Sequence, residues 1–312
     1  MTPTTTTPFG MRATAAEVLD GVDLSGRRMI VTGGSSGLGV ETVRALAGAG
    51  AQVTIATRNP EAAKPLVEEF PTVRAAALDL ADLDSVRAFC DNWNGPLDAL
   101  VANAGVMMLP TRQVNAQGWE MQLATNYLGH FGLAVGLRSA LQSAESARVV
   151  VLSSGAQLRA GFDFEDPQFE RHPYDPFVAY AQSKTADVLL AVGISRRWAE
   201  DGIAANACAP GWIHTNLARH IDKATLQALG AMDADGNLIT PDYYKTPAQG
   251  AATTVLLAAS PLLDGVSGRY FEDNQESEVV DGGPEVMAGV AKWSMDPDAA
   301  DRLWDYALPV VS

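Results

Sequence analysis

From residue 28 onward the chain alternates between short apolar runs and longer stretches with apolar residues at helical spacing. The apolar runs are RMIVT (28–32), QVTIAT (52–57), VRAAAL (73–78), LDALVA (97–102), RVVVLS (148–153), IAANAC (203–208) and GRYF (268–271). Between them, amphipathic stretches near 38–49, 60–69, 82–93, 118–142, 177–200 and 246–259 read as helices. Strand and helix in strict alternation predict an α/β fold, a Rossmann-type doubly wound parallel sheet of about seven strands with helices on both faces. Residues 1–25, Thr/Pro-rich and then weakly helical, read as an N-terminal arm, and 26–312 as a single dinucleotide-binding catalytic domain.

Two segments interrupt the alternation. Residues 156–176 (AQLRAGFDFEDPQFERHPYDP) are aromatic and acidic, and residues 211–245 run from Gly211 through Trp212 to a tyrosine pair. Long connections in compact domains are usually functional or flexible, and both leave the carboxyl ends of expected strands, where open α/β sheets bind ligands. They are the expected substrate loops, with Phe162, Phe164, Phe169, Tyr174 and Trp212 as apolar contacts.

Composition narrows the possible partners. A net charge of −15 with no Lys/Arg cluster predicts no nucleic-acid or membrane-surface binding. The N-terminus has no basic start followed by an apolar core, so no secretory leader is expected, and no apolar run approaches the roughly 18 residues that span a bilayer. Two cysteines, Cys90 and Cys208, make no disulfide framework. A cytoplasmic protein follows. The histidines His130, His172, His214 and His220 show no ligand spacing, so no metal is expected, and His130 is expected to pack or make a structural hydrogen bond. Asp163, Glu165 and Asp166 read as a solvated loop cluster.

The run VTGGSSGLG follows the first strand and opens a helix, placing Gly33, Ser35, Ser36, Gly37, Leu38 and Gly39 in one turn. Missing side chains let backbone N–H groups approach a pyrophosphate, which then rests on the helix N-terminus. Farther on, Tyr180 and Lys184 lie at i, i+4 in VAYAQSKTADVLLAV and share one helix face. An ammonium beside a phenol favours the phenolate, which turns a poor base into a general acid/base for an alcohol or carbonyl oxygen. Such a pair is also common on helix surfaces. Its neighbours in the order of elements set it apart: ANAG at 102–105, Asn126 in a mostly apolar helix, Ser153 and Ser154 after the fifth strand, and PGWIHTNL from Pro210.

With TGGSSGLG, Asp79–Leu80, Asn103–Gly105, Asn126, Ser154, YAQSK and PGWIHT in this order, the sequence resembles the short-chain dehydrogenase/reductase family over about 30–275. The interval between Ser154 and Tyr180, with HPYDPFVAYAQSK, is similar to the retinol-dehydrogenase and protochlorophyllide-reductase branch. The resemblance implies that Tyr180 exchanges the proton, Lys184 holds the nicotinamide ribose and favours the phenolate, and Ser154 orients the substrate oxygen. It implies that Asn126 holds a relay water, Asp79 and Leu80 flank the adenine, and Asn103, Ala104 and Gly105 pass beneath the cofactor. Pro210, Gly211, Ile213 and Thr215 would meet the carboxamide. It further implies a homo-oligomer, a dimer or tetramer through helices 118–142 and 177–200. The family's usual paired asparagines are here Ala102–Asn103.

Cofactor choice has its own signal. The end of the second strand, 18 residues beyond Gly39, carries Thr57 and then Arg58 rather than an acid. An acid there would bond the ribose 2′-hydroxyl, whereas a guanidinium engages a 2′-phosphate. The expected reaction is hydride transfer between NADP(H), with NAD(H) as alternative, and a secondary alcohol or ketone of a small or medium apolar molecule. A nucleotide-sugar epimerase or dehydratase and a non-catalytic cofactor sensor are the rival readings.

Overall fold

The computed structural model of the chain describes residues 4–215, 217, 223–228, 230–233 and 235–312. His220 lies outside them. The strands are β1 (Arg28–Thr32), β2 (Gln52–Thr57), β3 (Val73–Ala77), β4 (Ala99–Ala102), β5 (Ala147–Leu152), β6 (Ile203–Ala209), β7 (Tyr270–Glu272) and β8 (Gln275–Glu276). They form one sheet in the order β3-β2-β1-β4-β5-β6-β7-β8, parallel except for the antiparallel β7–β8 pair. The chain therefore winds outward from β1 in one direction, returns, and continues from β4 in the other, the doubly wound Rossmann arrangement. The eighth strand and a further short pair, β9 (Val279–Val280) with β10 (Val290–Ala291), add to the seven expected. Two-residue strands leave no periodic signal.

The helices are α1 (Ala15–Val18), α2 (Gly37–Gly48), α3 (Lys64–Glu69), α4 (Leu83–Asp91), α5 (Met121–Leu123), α6 (Gly129–Gly136), α7 (Arg138–Gln142), α8 (Pro176–Arg197), α9 (Lys223–Ala228), α10 (Pro247–Gly250), α11 (Ala252–Ala259) and α12 (Pro297–Val311). Strands β1 to β7 feed both faces of the sheet. Ile30, Leu100, Val149 and Val151 join one apolar cluster with α4, α6, α8 and α12. Met29, Val31, Val101 and Val150 join the other with α1, α2 and α11. Residues of the N-terminal arm are thus core-forming. Ala15, Val18 and Leu19 are buried, and Thr5 and Thr7 hydrogen-bond Glu276 and Gln275 at the sheet edge.

The stretch 118–142 is not one regular helix. A π-helical segment, Ala124–Leu128, links α5 to α6, and the chain breaks at Leu137 before α7. Neither the wide turn nor the break alters the apolar spacing enough to be visible in it.

The faces of α6 and α8 away from the sheet are covered by α12. Trp304 meets Phe131 at 4.8 Å and Trp198 at 5.5 Å between ring centroids, both edge-on. Gly193 leaves room for that indole, because a Cβ there would lie 3.0 Å from its ring edge. Arg197 pairs with Asp301 and Asp305 around the rim. Trp304→Ala removes the centre of this contact and should destabilise the fold by about 3–5 kcal/mol in denaturant titration. A loss below about 1 kcal/mol would show that α12 contributes little to stability.

Candidate active site

Strand order reverses between β1, which has β2 on one side, and β4 on the other. The chain leaves these neighbouring strands toward opposite faces, which opens a crevice at their carboxyl ends. The glycine turn occupies it. Gly33 has φ +65°, and a Cβ there would lie 3.1 Å from Ala104, while one at Gly39 would run into the Gly33 carbonyl and lie 2.8 Å from Gly34. Backbone therefore approaches backbone as only glycine permits. Ser36 precedes α2 without using its hydroxyl to cap it, and Ser36 and Gly37 are exposed at the helix N-terminus. Across the turn, a Cβ at Gly37 would lie 3.7 Å from Thr215, and Leu38 and Ile213 pack together beside Gly250. Segments from two ends of the sequence thus enclose a cradle open to a ligand's phosphates. A glycine turn ahead of a helix N-terminus with no side-chain cap has the chemistry to take the pyrophosphate of a dinucleotide.

Thr32 fixes the floor. Its hydroxyl accepts the N–H groups of Asn103 (2.9 Å) and Ala104 (3.0 Å) and lies 2.8 Å from His130 Nε2. His130 Nδ1 is 2.7 Å from the Asn126 carbonyl. A carbonyl only accepts, so Nδ1 carries the proton and Nε2 accepts from Thr32. Burial pushes the His130 pKa down to about 4, so the ring stays neutral. The structural role expected of it holds. The Asn126 side chain clamps the loop after β4, accepting from Val106 N–H (2.8 Å) and donating to the Val106 carbonyl (3.0 Å) and Ser183 Oγ (2.9 Å). Asp79 accepts from Ala81 N–H, and Leu80 is buried against Gly129 of α6.

Tyr180 and Lys184 are not surface decoration: each is 5% exposed. Their helix starts sharply because Asp175 accepts from the Phe177 and Val178 N–H groups and Pro176 takes the first turn. The lysine Nζ lies 5.8 Å from the Tyr180 ring centroid and donates to the Leu152 carbonyl (2.9 Å) and Asp187 Oδ2 (2.8 Å). A Cβ at Gly105 would lie 3.8 Å from that Nζ and 3.2 Å from Asn126 Oδ1, so Asn103–Gly105, Asn126 and Lys184 share one small volume. The two serines divide their tasks. Ser153 is buried and donates to the Lys184 carbonyl, whereas half-buried Ser154 heads the short turn after β5, accepting from Ala156 N–H.

The long connections are ordered by groups the spacing did not single out. Asp166, read from sequence as solvated, is buried and accepts the N–H groups of Glu170, Arg171 and His172, which folds 156–176 around it. Phe162 and Phe164 pack on each other, Phe162 also on Tyr306 of α12, and Phe169 packs on Tyr174, whose hydroxyl donates to Glu120. Those contacts are anchors. Trp212 differs, being 49% exposed beside Tyr243, which is equally open. Asp187 is the residue beside the site that sequence reading passed over, though a lone carboxylate in TADVLLAV was its signal. Among the described residues, no three His, Cys, Asp or Glu side chains gather as a metal site, and no helix is long and apolar enough to cross a membrane.

A Rossmann sheet with a glycine cradle at its switch point and a buried Tyr/Lys pair alongside defines a nicotinamide-dependent oxidoreductase. The family model for short chain dehydrogenases matches residues 27–226. The sequence is 62% identical to a "probable oxidoreductase" of Streptomyces lividans, over 93% of this chain and 99% of the relative. It is 35% identical to retinol dehydrogenase 14 of Homo sapiens, over 90% of this chain and 85% of that one. A gluconate 5-dehydrogenase from Burkholderia cenocepacia, solved with NADP and tartrate, is 28% identical with a TM-score of 0.61, covering 81% of this chain and 95% of that one. The chain belongs to the short-chain dehydrogenase/reductase family, with relatives in its retinol-dehydrogenase branch.

The buried neutral His130 predicts an acid-sensitive fold. Its pKa falls from 6.5 when exposed to about 4 when buried, so its contribution is complete above about pH 6.5 and is lost as pH drops toward about 4. Asp187, pushed up to about 7 by burial, acts in the opposite sense, so both chains compared must retain it. The thermal midpoint should fall more steeply across that window in the native chain than in His130→Asn. Parallel slopes would rule out the histidine as a source of acid sensitivity.

Proposed function

We propose that the protein moves a hydride between NADP(H) and a secondary alcohol or ketone of a small or medium apolar molecule. The observation that carries this reading is the burial of Tyr180 and Lys184 together beside Ser154 and the glycine cradle. Gly33, Ser35, Ser36, Gly37, Leu38 and Gly39 would hold the pyrophosphate, with Asp79, Leu80, Asn103, Ala104 and Gly105 along the adenine and ribose. Pro210, Gly211, Ile213 and Thr215 would close over the nicotinamide end, and Lys184 would bond its ribose. When bound, the nicotinamide supplies or accepts the hydride. Tyr180 exchanges the proton with the substrate oxygen, and Ser154 Oγ orients that oxygen. The Lys184 ammonium stabilises the phenolate that appears during exchange. Asn126 fixes the loop that brings Gly105 to Lys184.

Apolar substrates are favoured by Trp212, Ile239 and Tyr243, which expose ring and aliphatic surface on the segment after β6. A cofactor sensor has no need of this Ser/Tyr/Lys arrangement, and relatives named as an oxidoreductase and a dehydrogenase favour hydride transfer over an epimerase or dehydratase. A homo-oligomer remains part of the proposal, through a surface other than the α6 and α8 faces that α12 covers. We place the enzyme in the cytoplasm.

Tyr180→Phe keeps the ring and loses the proton. Its turnover should drop about 10²- to 10⁴-fold while cofactor affinity is retained. A turnover screen of alcohols and ketones on both chains reads this directly, and near-native activity of the variant would sink the assignment.

NADP(H) preference rests on Arg58. It is exposed and makes no ion pair or hydrogen bond among the described residues, while the preceding Thr57 hydroxyl lies 3.1 Å from Ser35 Oγ. The NADP complex of the gluconate 5-dehydrogenase relative supports the same choice. Hydrogen bonds to a charged group contribute roughly 1.5–3 kcal/mol, which predicts kcat/KM about 10- to 150-fold higher with NADP(H) than NAD(H). Thr57→Asp with Arg58→Ala should shift the ratio toward NAD(H). Equal efficiencies in the native chain, or no shift in the double variant, would exclude the assignment.

A further inference from the structure

Asp187 lies one helical turn beyond Lys184, is 1% exposed, and gives one carboxylate oxygen to the lysine Nζ at 2.8 Å. Its other oxygen, Oδ1, is buried and has no hydrogen-bond partner among the described residues. An unsatisfied buried carboxylate oxygen destabilises a fold, and an apolar side chain would suit the run Val188–Ala191 better. Packing does not account for it.

The surroundings show what the carboxylate supplies. The ionisable groups that face the pair are Tyr180 on α8, Tyr127 on the π-helical segment, His130 on α6 and Cys208 on β6. Burial pushes Tyr127 well above the usual phenol range and Cys208 up to about 12, so both stay neutral. His130 is neutral down to about 4. Asp187 is therefore the one group among the described residues, other than the reacting phenol, able to balance the lysine charge, and with burial raising its own carboxyl to about 7 it does so from neutral pH upward. The Leu152 carbonyl, its other partner, is a neutral acceptor. Burial drives an unpaired ammonium toward the neutral amine; with Asp187 beside it, Lys184 is held above its usual value despite that burial.

We propose that Asp187 is a positioning residue that keeps Lys184 an ammonium through the neutral and alkaline range in which Tyr180 exchanges its proton with an alcohol. The proposal rests on the acid–base reading of Tyr180 and Lys184. Without the carboxylate, the lysine would lose its charge in mildly alkaline solution, where oxidation of an alcohol draws most on the phenolate. Cofactor holding would weaken in the same range.

The test uses the full chain with isotope-labelled lysine side chains, which are only Lys64, Lys184, Lys223, Lys245 and Lys292. Lys184→Met identifies the Lys184 signal. In the native chain that signal should remain an ammonium to the highest pH at which the fold survives. In Asp187→Asn its midpoint should fall by about two units or more. The alkaline limb of kcat/KM for alcohol oxidation should move down with it. A lysine that stays charged in the folded variant overturns the proposal. So does an activity loss of the same factor at every pH, the mark of a structural role. If Asp187→Asn does not fold, the smaller neutral Asp187→Ser carries the same measurement. A native chain that oxidises no alcohol would count against the proposed reaction alone, because the lysine titration needs neither cofactor nor turnover.

Discussion

The hydroxyl of Thr32 is the point on which the site depends. It ends β1 at the reversal of strand order, is fully buried, and joins Asn103, Ala104 and His130 in one set of hydrogen bonds. From His130 the connection runs to the Asn126 carbonyl, from the Asn126 amide to Ser183 Oγ, and from that hydroxyl to the Tyr180 carbonyl. Each link is satisfied on both sides, so the network is rigid where a half-made one would be soft. The position of Tyr180 relative to the glycine turn is thus set through side chains. Adjacent strands alone would leave the helices free to slide.

That network explains which parts of the site could be read from the sequence. Strands β1 and β2 coincide with their apolar runs because a strand buried on both faces needs continuous apolar residues and stops at the glycine or the Arg–Asn–Pro that follows. The glycine turn and the Tyr180–Lys184 spacing are local, and local geometry is written in adjacent residues. Asp166, Asp187 and Trp304 are different. Their roles come from groups that the fold brings together, such as the N–H groups of 170–172 or the Gly193 notch under an indole. A lone polar residue in an apolar helix signals that it has a partner without saying which.

The expected subunit face shows the same limit. The family resemblance implied a subunit contact through 118–142 and 177–200, and an apolar helix face is covered equally well by a partner copy or by a later segment of the same chain. Here α12 does so, with Trp304 set between Phe131 and Trp198 and an arginine–aspartate rim outside it. Periodicity reports the need for burial, and only the assembled fold names the occupant.

The charge of the chain leads to a last step. With a net −15, the protein repels the phosphates that the proposed reaction requires it to hold. Two of the cations the proposal calls on are in opposite states. Arg58 is exposed and makes no ion pair among the described residues, which water makes nearly free of cost, and in the proposed reaction it would meet the cofactor's 2′-phosphate. Lys184 is buried, where an unpaired ammonium would give up its proton, and it comes with its own carboxylate. Exchanging the two arrangements would defeat both, because a paired Arg58 would have nothing to offer a phosphate and an unpaired Lys184 would lose its charge. On that proposal the acidic surface would leave the cradle, with Arg58 and Lys184, as the place where an anion is welcome, so the field of the whole chain would sharpen the choice that the local groups make.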